Sequence, residues 1–414
     1  MSGMHGKHLY DSGIQSTYGI GNNNFISDWF NSDGSRYGTF STVSTSGSAS
    51  IDSSFKLNGC KASNTSYVLG YIFDAAGTYS ARIRAATVSG SASSFGTEVN
   101  ILNLGGSSSS ITLKYITDNK IIVAVADNAS TLKLYTYTLS GNTLTQDASI
   151  TSFATSLANT SVDICMLSTT RGIALYTVGT SVLVQDFTVG SGSLTAGGST
   201  LTVRASLASV CNGIAKLTST TAIAYYTAGN GSGSVFAKVL TDGSPPTAGS
   251  EATLCAASYA PVSGHRMYLV ANRAGTTSMG FWKGSSSGDY LHAIGCAISG
   301  TTATGRGSSM RGNVVGLGDF AATATTNTSS ALSFIEDNDQ WASFVGIESN
   351  GLLVTPRFVA IRDKDSLIVG GRTVSVTGGT AQAISGAGAI CLTSNVIILY
   401  NTTQTIVYAA VLIK

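Results

Sequence analysis

Four histidines, His5, His8, His265 and His292, are the side chains best suited to proton transfer or metal ligation near neutral pH. Of these, His5 and His8 have the spacing of a ligand pair, but no Cys or carboxylate partner lies close by to complete a metal site. The cysteines, Cys60, Cys165, Cys211, Cys255, Cys296 and Cys391, include no CxxC pair. Most precede an apolar run, where an inner strand would lie, so they read as buried free thiols acting as small hydrophobes. Asp74, Asp127 and Glu336-Asp337 each follow an apolar run, and convergent carboxylates would be the apparatus of glycoside hydrolysis. Thr177, Thr227 and Asn401 follow other runs of the same kind, so turn formation through side chain to backbone bonds accounts for all of them. Arg82, Arg84, Arg171, Arg266 and Arg357 could clasp a carboxylate but share no common position along the chain. Gly229-Asn230-Gly231-Ser232-Gly233 lacks the Lys and the helix of a phosphate loop. The expectation is no catalytic residue, no metal and no cofactor.

Aromatic residues in polar surroundings are the remaining chemical signal. Trp282, Tyr290 and Trp341 could stack on a sugar or anchor a protein if they stand in loops. The competing reading packs them between neighbouring sheets. Near the N-terminus, Tyr10, Phe25, Trp29 and Phe30 punctuate a Gly/Asn/Ser-rich stretch and are candidates for contact with a partner. A solvated linker would not carry so many large apolar side chains.

The elements that must position these residues are short strands. Charged residues make up 11% of the chain against the usual quarter, and the net charge of +2 gives no footprint for nucleic acid. No apolar run reaches the length of a spanning helix. The start of the sequence has no apolar secretion core, so manufacture in a cytoplasm without secretion is expected. Val, Ile, Leu and Tyr recur throughout, which favours folding over disorder despite the Ser/Thr/Gly-rich remainder. Prominent apolar runs lie at 67–71, 121–125, 173–176, 222–226, 267–270, 331–335 and 396–400, each taken as the same element of one repeat. Their spacing is roughly 50 residues early and roughly 65 late, long for a repeat and suited to a strand-rich unit. Each unit reads as a strand, a small polar turn, a second strand, a Ser/Gly turn and a third, with a further apolar stretch beforehand, making four.

The last copy stops after Thr405–Ile413 and lacks its fourth strand, while Thr39–Thr45 looks like an orphaned outer strand. Pairing the two would remove an exposed sheet edge. In this the chain resembles the seven-bladed β-propellers, whose final blade is commonly completed from the other end of the chain. The fold class expected is all-β, a seven-bladed propeller of four-stranded antiparallel blades over residues 39–414, closed by an N-terminal strand. Residues 1–38 form an extended docking arm ahead of it. No Gly-His or Trp-Asp dipeptides of the WD40 type stand in register, and no Asp-box turns of the sialidase type occur. Phrases such as Thr87-Val88-Ser89-Gly90-Ser91, followed by Gly96-Thr97-Glu98-Val99, resemble propeller-type virion proteins (tail or capsid-associated) of tailed bacteriophages. That resemblance implies a non-enzymatic structural and interaction protein of a virion, assembled in a host cytoplasm. Its arm would dock on other virion proteins, with no nucleic acid and no membrane insertion. The alternative is a receptor- or glycan-binding adhesin that uses loops of the fifth and sixth copies.

Overall fold

The computed structural model describes residues 57–311 apart from short gaps (91, 129, 208–210, 228–233, 256–266, 272–273 and 284–290), and strand segments at 41–44, 50–51, 332–334, 341–347, 354–361, 366–369, 384–392, 395–402 and 406–413. Side chains are described from residue 58 to residue 305, except at 281–283 and 291–293, and again at Ile390, Leu392 and Ile397. The docking arm expected at residues 1–38, with Tyr10, Phe25, Trp29 and Phe30, lies outside the described residues, as does Tyr290.

Every regular element is a β-strand, and the strands form seven antiparallel sheets in chain order among the described residues. The innermost strands are Leu57–Lys61, Ser110–Thr117, Asp163–Met166, Asn212–Lys216, Tyr268–Ala271, Leu332–Phe334 and Ile384–Cys391. Each touches the next, and the last touches the first, so the sheets close into a ring. The fold is a β-propeller, and its sheets are numbered here as blades 1 to 7. Ser41–Ser44 pairs antiparallel with Ile406–Ile413 from Ser41 opposite Ala409 to Ser44 opposite Ile406. The last blade is therefore completed by an N-terminal strand, as the truncated final copy implied.

Burial explains why the second strand of each blade carried the sequence signal. Ile121–Ala126 is buried without interruption because neighbouring blades cover both faces of its sheet. Further out the pattern turns mixed, and the outer strand Thr143–Thr155 is mostly exposed, which is where the Ser and Thr residues fall. The core is divided among five described clusters, each between two consecutive blades. The cluster between blades 1 and 2, for example, joins Val68, Ile83 and Ala85 to Ile111, Val123 and Tyr137.

Outer strands in blades 1 to 5 each show a break in register against the third strand, as between Thr136 and Tyr137 or Gln185 and Phe187. Such bulges bend an outer edge away from pairing with another chain, a protection this charge-poor surface needs. At the ring's centre the innermost strands leave backbone groups unpaired by their own sheets, and side chains from adjacent blades meet them. The amide side-chain oxygen of Asn58 accepts from the Leu113 N–H (3.1 Å), and the Thr112 hydroxyl donates to the Val162 carbonyl (3.4 Å). Asp163 accepts from the Ile214 N–H (3.1 Å).

The copies at 267–270 and 331–335 need a correction. Tyr268–Ala271 and Leu332–Phe334 are innermost strands, and the second strands of their blades are Thr277–Lys283 and Trp341–Ile347. The stretch at 366–389 supplies the outer strand Ser366–Val369 of blade 6 and most of the innermost strand of blade 7. An apolar run looks alike whichever strand of the blade it forms, so periodicity alone slipped by one strand there.

Candidate functional site

Two related clusters of ionisable side chains stand at the seams between blades. In blade 1, Tyr71 projects from the second strand, Ser66–Ala75, into the apolar seam shared with blade 7. Its hydroxyl donates to Glu98, which also receives Arg82 from the third strand, Thr78–Ser89. The Arg82 guanidinium lies 3.6 Å from the centroid of the Phe73 ring. Arg84, two residues on, donates through Nε to the Gly96 carbonyl (2.6 Å) and approaches the ring of Phe95.

Blade 4 repeats the arrangement at the seam with blade 3. The Tyr226 hydroxyl donates to Glu251, which is ion-paired with Arg204 from the outer strand of blade 3. Lys238 lies 4.0 Å from the same carboxylate and donates to the Val203 carbonyl across the seam (2.7 Å). Phe236 stacks on Tyr226 at 5.9 Å and carries the Arg204 guanidinium on its ring at 5.1 Å.

Local folding makes the two Tyr–Glu pairs equivalent, whereas the arginines differ: Arg82 stands opposite Tyr71 on the third strand of blade 1, and Phe236 holds that position opposite Tyr226 in blade 4. Glu98 and Glu251 each stand two residues after a glycine in the break before the last part of the outer strand. Gly96 donates to the Ala85 carbonyl and Gly249 to the Val239 carbonyl, both at 2.9 Å. A side chain on either glycine would collide with backbone of the next blade's turn, at Asn142 and Thr301 respectively. The neighbouring blade thus fixes the position of each glutamate. The glutamates themselves are mostly covered, at 19% and 18% side-chain exposure, while Arg204 is 40% exposed against 18% for Arg82. The Tyr71 and Tyr226 hydroxyls are held well above the ordinary tyrosine pKa, first by burial and then by donation to the adjacent glutamate. They are fixed donors. Within each cluster the tyrosine proton and the carboxylate are taken up internally, which leaves the arginine edge beside an aromatic face as the group most open to solvent at the blade 3–4 seam.

The remaining ionisable groups serve the frame. Arg171 of blade 3 spans Asp186 (3.3 Å) and Asp242 of blade 4 (2.7 Å). Asp163 is nearly fully buried and pairs with Lys114 of blade 2 at 3.1 Å. Asp74 closes its turn by accepting from the Gly77 N–H (2.7 Å), as expected. Asp127 instead reaches the Gly105 N–H (2.9 Å) and Lys133 (2.8 Å). Cys60, Cys165, Cys211, Cys255 and Cys296 are buried free thiols, matching the sequence reading. Burial pushes Cys60 and Cys165 up to about 12 and Cys255 to about 11. No group of three metal-ligating side chains occurs among the described residues.

Trp282 and Trp341 do not stand in loops as the adhesin reading required. Trp282 is the sixth residue of the second strand of blade 5, opposite His292, and Trp341 opens the second strand of blade 6. The sixth residues of the corresponding strands in blades 1, 3 and 4 are Tyr71, Tyr176 and Tyr226, all fully buried. Trp282 therefore holds the register position of a seam aromatic. Neither Glu251 nor Arg204 was singled out from the sequence. The shared signal was the Gly-x-Glu of Gly96-Thr97-Glu98 and Gly249-Ser250-Glu251, which is visible only once the copies are aligned by strand.

No family profile and no curated protein matches this chain. Among solved structures, it is similar to Sqt1 from Chaetomium thermophilum, at 11% identity and a TM-score of 0.49, over 87% of this chain and 96% of that one. An Aleuria aurantia lectin mutant in complex with Fucalpha1-6GlcNAc shares 11% identity at a TM-score of 0.45, over 86% and 93% of the two chains. The β-propeller domain of the Trilobed protease from Pyrococcus furiosus shares 10% identity at a TM-score of 0.43, over 86% and 95%.

Proposed function

We propose that this chain is a non-catalytic binding protein, an adhesin-like propeller that recognises a glycan at the seams between its blades. The observation that carries this reading is the recurrence of one Tyr–Glu pair in two blades, joined in each by an arginine from a different strand. A catalytic centre is assembled once, from different elements converging on one reacting atom. A binding propeller gains from repetition, because linked weak subsites on a rigid frame sum to useful avidity. The aromatic face beside each arginine adds apolar surface at low entropic cost. The experiment is a glycan array probed with the full chain, followed by incubation with the glycans it captures. Capture of a subset without turnover is the expected result. Failure to bind any glycan, or cleavage of those bound, overturns the reading.

Placement in a phage virion, with assembly in a host cytoplasm and anchoring through residues 1–38, is a second proposal that rests on sequence style alone. Deleting residues 1–38 should abolish incorporation into particles while leaving the ring folded, and incorporation of the deleted chain would end that proposal.

A further inference from the structure

The two clusters differ in what they leave open. Arg82 is held within its own blade, covered, and pressed on Phe73. Arg204 arrives from the neighbouring blade and keeps 40% of its side chain in solvent. One of its nitrogens, Nη1, is committed to Glu251, and its plane rests on Phe236. Among the described residues its other guanidinium N–H groups have no protein acceptor. Phe236 is in turn fixed by stacking on Tyr226.

Charge at this place is unbalanced. Arg204 and Lys238 face a single carboxylate, Glu251, whose two oxygens are already taken up by Arg204, Tyr226 and Lys238. The opposing cluster of Arg171, Asp186 and Asp242 lies at the other end of the same seam. Arg204 is opposite Val182, and Asp186 stands four residues further along that strand. At about 3.3 Å per residue that is roughly 13 Å, beyond the screening length of about 8 Å in physiological salt. A guanidinium that is oriented in advance, half open and part of a cluster with one excess positive charge suits a planar anion. It pays little ordering entropy on binding and presents a fork that matches a carboxylate.

We infer that the surface at the seam between blades 3 and 4 binds an acidic saccharide, with a sugar carboxylate against the open edge of Arg204 and Lys238 supplying the second positive charge. This rests on the glycan-binding reading above and adds the ligand class and the blade pair. Glu251 acts as a positioning residue that holds Arg204 against Phe236.

The test is calorimetric titration of the full chain with oligogalacturonate, with sulfated dextran and neutral dextran as further arms, at low and high salt. Binding of oligogalacturonate that weakens with salt, and drops at least tenfold in Arg204→Gln with an unchanged circular dichroism spectrum, supports the inference. Arg204→Lys should recover part of the affinity, and Thr169→Ala, in an exposed turn, should behave as the parent chain. Equal affinity for neutral dextran would overturn the acidic class while leaving glycan binding intact. Tighter binding of sulfated dextran would overturn the carboxylate in favour of a sulfate ester. Unchanged affinity in Arg204→Gln would overturn the site. Failure of every saccharide would remove both this inference and the reading it rests on.

Discussion

Replacing Gly96 with alanine tests the closeness of the blade seams, on which the position of Glu98 depends. The new methyl group would point at the backbone of Asn142, in the turn between the third and outer strands of blade 2. It would fall more than an ångström inside the 3.0 Å that real side chains respect, and the obstacle is backbone rather than a flexible side chain. The turn must therefore move. Moving it strains two bonds across the seam, from the Thr87 hydroxyl to Asn142 and from Asn142 Nδ2 to the Ser94 carbonyl (3.0 Å). Each is worth about 1 kcal/mol, and overpacking adds roughly 1–3 kcal/mol, so a loss of about 3 kcal/mol is expected. Gly249→Ala should behave alike against Thr301. Gly198→Ala is the control, since a side chain there meets open space and its backbone lies outside the left-handed region. It should be neutral or stabilising by about 0.4–1 kcal/mol. Urea unfolding of the full chain, followed by aromatic fluorescence, gives the comparison. If Gly96→Ala and Gly198→Ala unfold at the same urea concentration, the seam is loose and does not fix Glu98.

Other perturbations probe the centre, the closure and the thiols. Asp163→Ala removes a buried acceptor from the Ile164 and Ile214 N–H groups and should cost about 3 kcal/mol, with Asp163→Asn roughly half as severe because one oxygen remains. Its ion pair with the more exposed Lys114 adds little, and equal urea midpoints for the two variants would contradict this division. Deleting residues 1–45 strips Ser41–Ser44 from the edge of the apolar strand Ile406–Ile413. Concentration-dependent association by light scattering is expected, and a truncated chain that stays monomeric would show that closure does not guard this edge. Cys60, Cys165 and Cys255 have native pKa values raised above the ordinary 9.0, so they ionise more readily once unfolded. Their contribution to stability is complete below pH 9 and declines as pH rises through 11 to 12. A midpoint in urea that is flat from pH 9 to 11.5, or ready reaction of these thiols with a disulfide reagent at pH 8 in the native state, would speak against their burial.

Strand identity in blades 1 to 4 could be read from the chain because second strands are buried on both faces and stand out as unbroken apolar runs. The stretch near 39–45 was legible as the closing strand because the last copy visibly lacked one. Buried free cysteines followed from their neighbours in the sequence. In blades 5 and 6 the runs at 267–270 and 331–335 belong to innermost strands, because apolar character alone does not distinguish one buried strand of a blade from another. Whether Trp282 stands in a loop or between sheets was left open by its polar neighbours in the sequence, and its place in the second strand of blade 5 came from the fold.

The sequence by itself determined that this chain builds repeated four-stranded sheets and that its ends complete one of them. Hydrophobic periodicity is a local property, and a missing strand can be counted. Only the tertiary structure decided which acids and bases meet. Arg204 and Glu251 are far apart in the chain and come from different blades, and their encounter depends on how one sheet's turn seats against the next. Pairings of that kind leave no trace in spacing.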